Sequence, residues 1–288
     1  GGGGRDDLSG GRGDDTIKGQ GGVDRFIETA NADLILSDNE FHGTSVDVLS
    51  GIELAILTGG RGDNLIDASA ATFPVVINGR GGNDRLIGGS GNDRIFGGAG
   101  DDEITGGGGS DLLNGQNGTD VLVAGISGTV SLTDSVLKIG EASSRVRGME
   151  RASINGGDKN DRIDVTKFSG KTKLFGGAGD DELLGGRADD VIDGGAGNDV
   201  INGGDGADVI NGGGGDDVAI GGKGNDRIRG GAGRDVLMAG LGDDKVNGQG
   251  GEDKISGGLG KNRIIGLEKE IDETFKLSDD LLAKLDLV

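Results

Sequence analysis

Across residues 176–265 one large aliphatic side chain recurs every nine residues: Leu183, Ile192, Ile201, Ile210, Ile228, Leu237, Val246, Ile255 and Ile264, with Ala219 in the one small place. Two residues before each stands an acid or, in the last case, an amide: Asp181, Asp190, Asp199, Asp208, Asp217, Asp226, Asp235, Asp244, Asp253 and Asn262. The ten units, from GGAGDDELL to GGLGKNRII, follow one another without insertion and read GGxGxDxUx, U being the aliphatic. A nine-residue period fits neither the 3.6-residue repeat of a helix nor a long alternating strand. It divides into a turn, GGxGxD, whose glycines permit positive φ and close backbone approach, and a short strand, xUx. Side chains alternate between faces along a strand, so of these three only the eighth position points inward. Two units make one coil of turn, strand, turn, strand, and successive coils stack as parallel strands roughly 4.8 Å apart. The predicted fold is all-β: a parallel β-roll, or β-solenoid, with two repeats per coil.

Three tandem runs carry the unit. The first roll segment is 1–36, with GGGGRDDLS, GGRGDDTIK and GQGGVDRFI at 1–27. ETANADLIL at 28–36 then keeps Asp33 and Ile35 in phase but has lost every glycine, and it is read as completing a coil. The second run is 79–123 and the third 176–265. Between them, 37–78 and 124–175 are poorer in glycine and are read as irregular, wider coils. These two segments are copies: residues 51–84 align without a gap with 148–181, an offset of 97 residues. Each holds one degenerate unit, GGRGDNLID at 59–67 and GGDKNDRID at 156–164. In each, the next unit starts twenty residues later, at Gly79 and Gly176, where two regular units take eighteen. That difference predicts one coil with an enlarged loop in an unbroken solenoid; two small inserted domains are the alternative. Short β-branched stretches at 46–49, 54–57, 75–77, 130–132 and 136–139 are predicted strands. Residues 266–288 differ: Ser278 before Asp279 and Asp280 suits a helix N-cap, and Leu277, Leu281, Leu282 and Leu285 would share a face. A short C-terminal capping element over the last coil is expected.

Stacking sets the sixth-position Asp of one unit above that of the unit two earlier. Like charges about 5 Å apart repel by roughly 1 kcal/mol in bulk water and several times more at a protein surface, so such columns require a cation between their rows. Carboxylates with turn carbonyls suit Ca2+, which takes 6–8 oxygens in flexible geometry, better than Mg2+, which wants a tighter octahedron. Zinc and copper want His or Cys, and the chain has one His and no Cys. The candidate metal ligands are Asp6, Asp15, Asp24, Asp84, Asp93, Asp102, Asp111, Asp120, Asp181, Asp190, Asp199, Asp208, Asp217, Asp226, Asp235, Asp244 and Asp253. The 67 glycines do not indicate collagen, which needs one every third residue, nor a flexible linker, which would not hold Asp and Ile in register. Fifty acids against 29 bases argue against a nucleic-acid partner, and no apolar run approaches the ~18 residues of a membrane span. One inward aliphatic per unit is little against the ordering entropy of a glycine-rich backbone. The chain is therefore expected to be an expanded polyanion without calcium and a folded rod with it.

The nonapeptide resembles the repeats-in-toxin (RTX) family of hemolysin-type calcium-binding repeats, over eighteen tandem units and more than half of the chain. The resemblance implies a right-handed parallel β-roll, with several Ca2+ ions held between turns by the sixth-position Asp and backbone carbonyls. It also implies export by a type I secretion machinery, the chain unfolded in low cytosolic calcium and folding outside, secreted or at the cell surface. The C-terminal Asp286-Leu287-Val288 resembles the tail of some type I substrates. Several units depart from the pattern. Asn64 and Asn262 replace the Asp; Lys159 and Ala188 replace the fourth-position Gly; Gln20, Arg80, Gln116 and Gln249 replace the second. Asn262 predicts a weak or empty site, and Lys159 puts a cation near Asp161.

Nothing in the sequence points to an enzyme. His42 is the single histidine, there is no HExxH or GxSxG motif, and the acids follow the turn period rather than forming a glycosidase pair. Flat Thr rows suited to ice are missing, and Arg12-Gly13-Asp14 and Arg61-Gly62-Asp63 arise wherever the third position is Arg. Gly1 falls inside a repeat, so a fragment of a longer protein is expected. The function expected is a calcium-binding region of an exported bacterial protein with a surface, matrix or adhesive role, an extracellular glycan or cell surface being a possible partner. The alternative is the accessory calcium-binding and secretion module of a secreted protease, lipase or polysaccharide-modifying enzyme whose catalytic domain lies upstream.

Overall fold

The computed structural model describes residues 1–265. The expected capping element, with Ser278 and its leucines, lies outside the described residues. The described chain contains strands, bends and turns and no helix. It falls into two compact units: Gly1–Ala124 with Ser135–Leu137 and Glu141–Arg151, and Gly125–Asp134 with Lys138–Gly140 and the residues from Ala152 onward.

In the second unit successive strands go alternately to two parallel sheets. One sheet contains Lys171–Ala178, Val191–Ala196, Val209–Gly214, Arg227–Ala232, Lys245–Gly250 and Arg263–Ile265. The other contains Thr129–Thr133, Arg162–Lys167, Glu182–Leu184, Val200–Asp205, Val218–Lys223, Val236–Leu241 and Lys254–Ser256. In the regular coils every residue faces the one eighteen later, so that Ile192 pairs with Ile210 and Ile210 with Ile228. The eighth positions therefore lie directly over one another, and from Leu183 to Ile255 all are buried, Ala219 included. Neighbours such as Val191 and Val209 face outward, but the expectation that only the eighth position is buried fails at Leu184 and Ile220, ninth-position residues that are buried in a second apolar cluster with Val200, Val218, Val236 and Met238 packed against it. Many strands are longer than the three residues expected. The ladder continues through the two glycines that follow, with Gly195 opposite Gly213 and Gly213 opposite Gly231, because a residue without Cβ lets backbones stay in register into the turn.

The first unit repeats this plan with more irregularity. Arg25–Thr29, Leu54–Thr58, Val75–Gly81, Arg94–Ala99, Leu112–Asn117 and Ala142–Arg147 form one parallel series. Leu34–Ser37, Leu65–Ala70, Arg85–Ile87, Glu103–Thr105 and Val121–Gly125 form the other. The glycine-free ETANADLIL does not keep its expected phase: Leu34, not Ile35, pairs with the eighth-position Ile66, and Leu34 and Leu36 are buried while Ile35 is exposed. From there Leu34–Ser37, Glu40–His42 and Val46–Ser50 pair antiparallel in succession. There Phe41 turns inward onto Phe26, ring centroids 4.9 Å apart, and supplies bulk that the nonapeptide lacks.

In the wide coils Leu65 pairs with Arg85 and Arg162 with Glu182, an offset of twenty instead of eighteen. The offset returns to eighteen at Val76 with Arg94 and at Lys173 with Val191. The extra length falls at the corners between Asp67 and Val76 and between Asp164 and Lys173, where Ala68, Ala71 and Val75 in one copy and Val165, Phe168 and Thr172 in the other are buried. Each coil is enlarged at a single corner, and parallel pairing carries through it.

Candidate metal centre

Each sixth-position Asp ends a turn and starts a strand, and its carboxylate folds back under the turn. One oxygen accepts a hydrogen bond from the backbone N–H of the Asp one coil earlier. The chain of such bonds runs Asp181 to Asp199 (2.8 Å), Asp199 to Asp217 (2.9 Å), Asp217 to Asp235 (3.0 Å) and Asp235 to Asp253 (3.0 Å) along one edge. On the other edge it runs Asp190 to Asp208, Asp208 to Asp226, Asp226 to Asp244 and Asp244 to Asn262. The first unit has the same arrangement, from Asp84 through Asp102 to Asp120 and from Asp93 to Asp111. The sequence thus predicted the columns, and the structure adds what links them: a backbone donor from each coil to the next.

The second carboxylate oxygen is the informative atom. In thirteen of the seventeen candidates (Asp15, Asp24, Asp84, Asp102, Asp120, Asp181, Asp199, Asp208, Asp217, Asp226, Asp235, Asp244 and Asp253) Oδ2 is buried and accepts no hydrogen bond. Asp208, for example, has no exposed surface at all. A buried oxygen without a donor costs of the order of 1–3 kcal/mol, more when charged, and repeating that at one position in coil after coil needs a compensating partner. The surroundings are also oxygen. A Cβ built on Gly194 would lie 2.3 Å from Asp199 Oδ2 and 2.5 Å from the carbonyl oxygen of Gly212, and one on Gly212 would lie 2.4 Å from both Asp217 Oδ2 and the carbonyl oxygen of Gly230. The first glycine of the unit leaves a cradle in which a carboxylate and a carbonyl of the following coil converge. Among the described residues no three His, Cys, Asp or Glu side chains gather into a cluster, so an ion here draws on backbone oxygens. That donor set fits Ca2+.

Burial dominates the electrostatics. It pushes Asp208 up to about 8, Asp217 to about 7, and Asp102, Asp111, Asp199, Asp226 and Asp235 to about 6. Neighbouring acids add to the rise, and the backbone N–H bond opposes it. Acids held this far above the usual carboxylate range favour either a proton or a cation.

Four candidates have the second oxygen engaged. Asp6, Asp93 and Asp190 accept from the N–H of Gly2, Gly89 and Gly186 at 2.8, 2.7 and 2.8 Å, and Asp111 accepts from Ser144 Oγ at 3.1 Å. The structure also shows column members that the sequence reading missed. Asp47 accepts from the N–H of Asp15, Glu53 from Asp24, Glu150 from Asp120, and Ser144 from Asp111. They sit where the nonapeptide phase is lost. The 97-residue offset was the available signal: it pairs Glu53 with Glu150 and Asp47 with Ser144.

A second ladder runs the opposite way along the fifth position. Asp180 accepts from the N–H of Asn198, Asn198 from Asp216, and Asp216 from Arg234, each at 2.8 Å. Asn83 and Asp101 do the same for the following coils. The fifth position therefore favours Asp, Asn and Ser because a short acceptor there caps the next coil. Asp14 and Asp63, the acids of the two Arg-Gly-Asp tripeptides, are committed in this way to Val46 and Asn83. His42 lies exposed beside Glu40 at 3.3 Å. Among the described residues no helix is long and apolar enough to cross a membrane.

The chain matches the family model described as RTX calcium-binding nonapeptide repeat (four copies) at residues 1–27, 76–104, 96–126, 175–210, 202–237, 211–246 and 229–264. No curated protein matches it.

Proposed function

The chain belongs to the family of RTX calcium-binding nonapeptide repeats, and from that premise we propose that it is a calcium-folded structural module of an exported protein, serving at a cell surface or in an extracellular matrix. Its calcium-binding repeats build a parallel β-roll in each unit. The ligands are the thirteen aspartates whose buried Oδ2 has no donor, together with turn carbonyls such as that of Gly212. That set of orphaned oxygens is the observation that carries the reading. Calcium supplies the charge that the rows of acids otherwise lack. The residues do the rest: Asp Oδ1 fixes each carboxylate against the preceding coil, the first glycine leaves room, and the aliphatic line closes the interior.

Export follows from the energetics of such a site. Where calcium is scarce the acids repel and the chain stays unfolded enough to pass a type I secretion channel; where it is plentiful, binding and folding are one event. Surface attachment, to a glycan or to the producing cell, is the role that suits a calcium-hardened roll without catalytic chemistry of its own. The test is circular dichroism of the chain with calcium and then with excess chelator. Strand signal present in calcium and lost in chelator is expected, and a spectrum indifferent to chelation would refute the reading.

A further inference from the structure

The turns are of two kinds. In the regular kind, the second and fourth positions both take positive φ, as in Gly177 (107°) and Gly179 (113°), or Gly204 (100°) and Gly206 (128°). We call this turn open. Its second N–H makes no hydrogen bond to the sixth side chain, and the Asp Oδ2 is left orphaned except in turn 106–111, where Ser144 Oγ donates to Asp111; turn 257–262 ends in Asn262. Four internal turns, at 59–64, 88–93, 156–161 and 185–190, have neither position in the left-handed region. In each, the second residue's N–H donates to the sixth side chain: Gly60 to Asn64 (2.7 Å), Gly89 to Asp93 (2.7 Å), Gly157 to Asp161 (2.8 Å) and Gly186 to Asp190 (2.8 Å). These turns are closed: an N–H occupies the place beside Oδ2 that is vacant of donors elsewhere.

The closed turns share one circumstance. The coil before each offers no nonapeptide turn to stack on. Turn 59–64 rests on Asn31, whose Oδ1 accepts from Arg61 and Gly62. In turn 156–161, Gly157 meets the carbonyl of Ile126. The other two meet the enlarged loops, Gly89 and Gly91 against Ala71 and Phe73, and Gly186 against Val165 and Phe168. The sequence departures follow the same division. Lys159 and Ala188, the two replacements of the fourth glycine, both fall in closed turns, where no left-handed residue is required.

We propose that each open turn that is stacked on a nonapeptide turn and ends in an Asp whose Oδ2 has no donor holds a calcium ion, and that the four closed turns hold none. Asp93, Asp161 and Asp190 are then hydrogen-bonded structural acceptors, not calcium ligands, and the ion rows are interrupted at each wide coil. This rests on the calcium-binding reading and narrows it. The wide coils, with loops that bury Ala71 and Val75 in one copy and Phe168 in the other, are joints whose turns are satisfied without metal.

The test is the number of calcium ions bound per chain, by equilibrium dialysis of the whole chain at saturating calcium, for Asp190→Asn and Asp208→Asn. The expected result is one ion fewer for Asp208→Asn and an unchanged number for Asp190→Asn. Equal losses in both would overturn the inference while leaving calcium binding intact. No calcium retained by the unaltered chain would overturn the reading beneath it. A glycine pair keeps the question answerable if Asp208→Asn fails to fold. A Cβ at Gly157 has no atom nearer than 3.4 Å, whereas one at the fourth-position Gly206 of an open turn would lie 2.5 Å from the carbonyl oxygen of Ala188 at a φ of 128°. Gly157→Ala should keep the ion count and Gly206→Ala should lower it; the reverse, or loss in both, contradicts the assignment of closed turns.

Discussion

At the scale of a residue, the sixth-position aspartate is held between a proton and a metal. Burial raises Asp208 to about 8 and Asp217 to about 7. A carboxyl whose pKa rises on folding binds its proton more tightly in the folded chain, so it favours the fold below the unfolded value near 4. That contribution is lost as the pH climbs through the folded values of about 6 to 8. Without calcium, strand content should therefore be greater near pH 4.5 than near pH 7.5, and added calcium should abolish the difference. Far-ultraviolet dichroism in chelator across that range checks it; greater strand content at the higher pH would show the acids to be poorly buried. A second prediction concerns Gln20, Arg80, Gln116 and Gln249. All four occupy the second position with φ between 74° and 77°, where an L-residue is disfavoured by roughly 1–2 kcal/mol. Glycine there gives back part of that in unfolded-chain entropy, roughly 0.4–1 kcal/mol. Arg80→Gly and Gln116→Gly should each raise the thermal midpoint in calcium by the small remainder, and a fall would show that the side chains contribute a contact worth more than the strain.

At the scale of the element, a strand such as Val209–Gly214 carries a single large side chain in the core, that of the eighth position. Ile210 is buried while Val209 beside it is half open to solvent. Ile210→Ala should cost roughly 2–5 kcal/mol and Val209→Thr within about 0.5 kcal/mol, both measured by denaturant unfolding in calcium. The inward line of eighth positions was legible in the sequence, because one strong apolar position recurs in every unit; the burial of the ninth-position Leu184 and Ile220 was not. The enlarged corner was legible too, since twenty residues between Gly59 and Gly79 cannot stack as eighteen do. Three further things were hidden. The antiparallel pairing around Phe41 depends on where an unpatterned segment finds a partner. Asp47, Glu53, Glu150 and Ser144 continue the columns out of phase with the repeat. Open and closed turns can share the letters GGxGxD, as GGSGND at 88–93 shows, and are then told apart by what the preceding coil presents.

For the molecule, each unit is a stack of coils whose bonds reach only the nearest neighbours. The carboxylate ladder and the fifth-position ladder join residues eighteen apart, as do the strand pairings of the regular coils. Such an array behaves as a sum of coil and interface terms. Removing residues 203–220, one full coil within the open-turn run, should leave a folded, calcium-dependent chain that binds two fewer ions. Removing ten residues from the same place should break the register and the strand signal. Dialysis and dichroism on the two deletions compare them, and equal damage would mean that the coils depend on contacts beyond their neighbours.

The eighteen-residue reach of these bonds also bears on heredity. DNA that encodes such a stack is itself repetitive and prone to unequal exchange. A gain or loss of one coil's worth of codons leaves every surviving pair of coils matched as before. Length can then drift among descendants without a folding penalty, whereas a joint such as the one at 59–78 survives only if copied whole. The block recurring 97 residues later, glutamate and enlarged corner included, is what such an inheritance would leave.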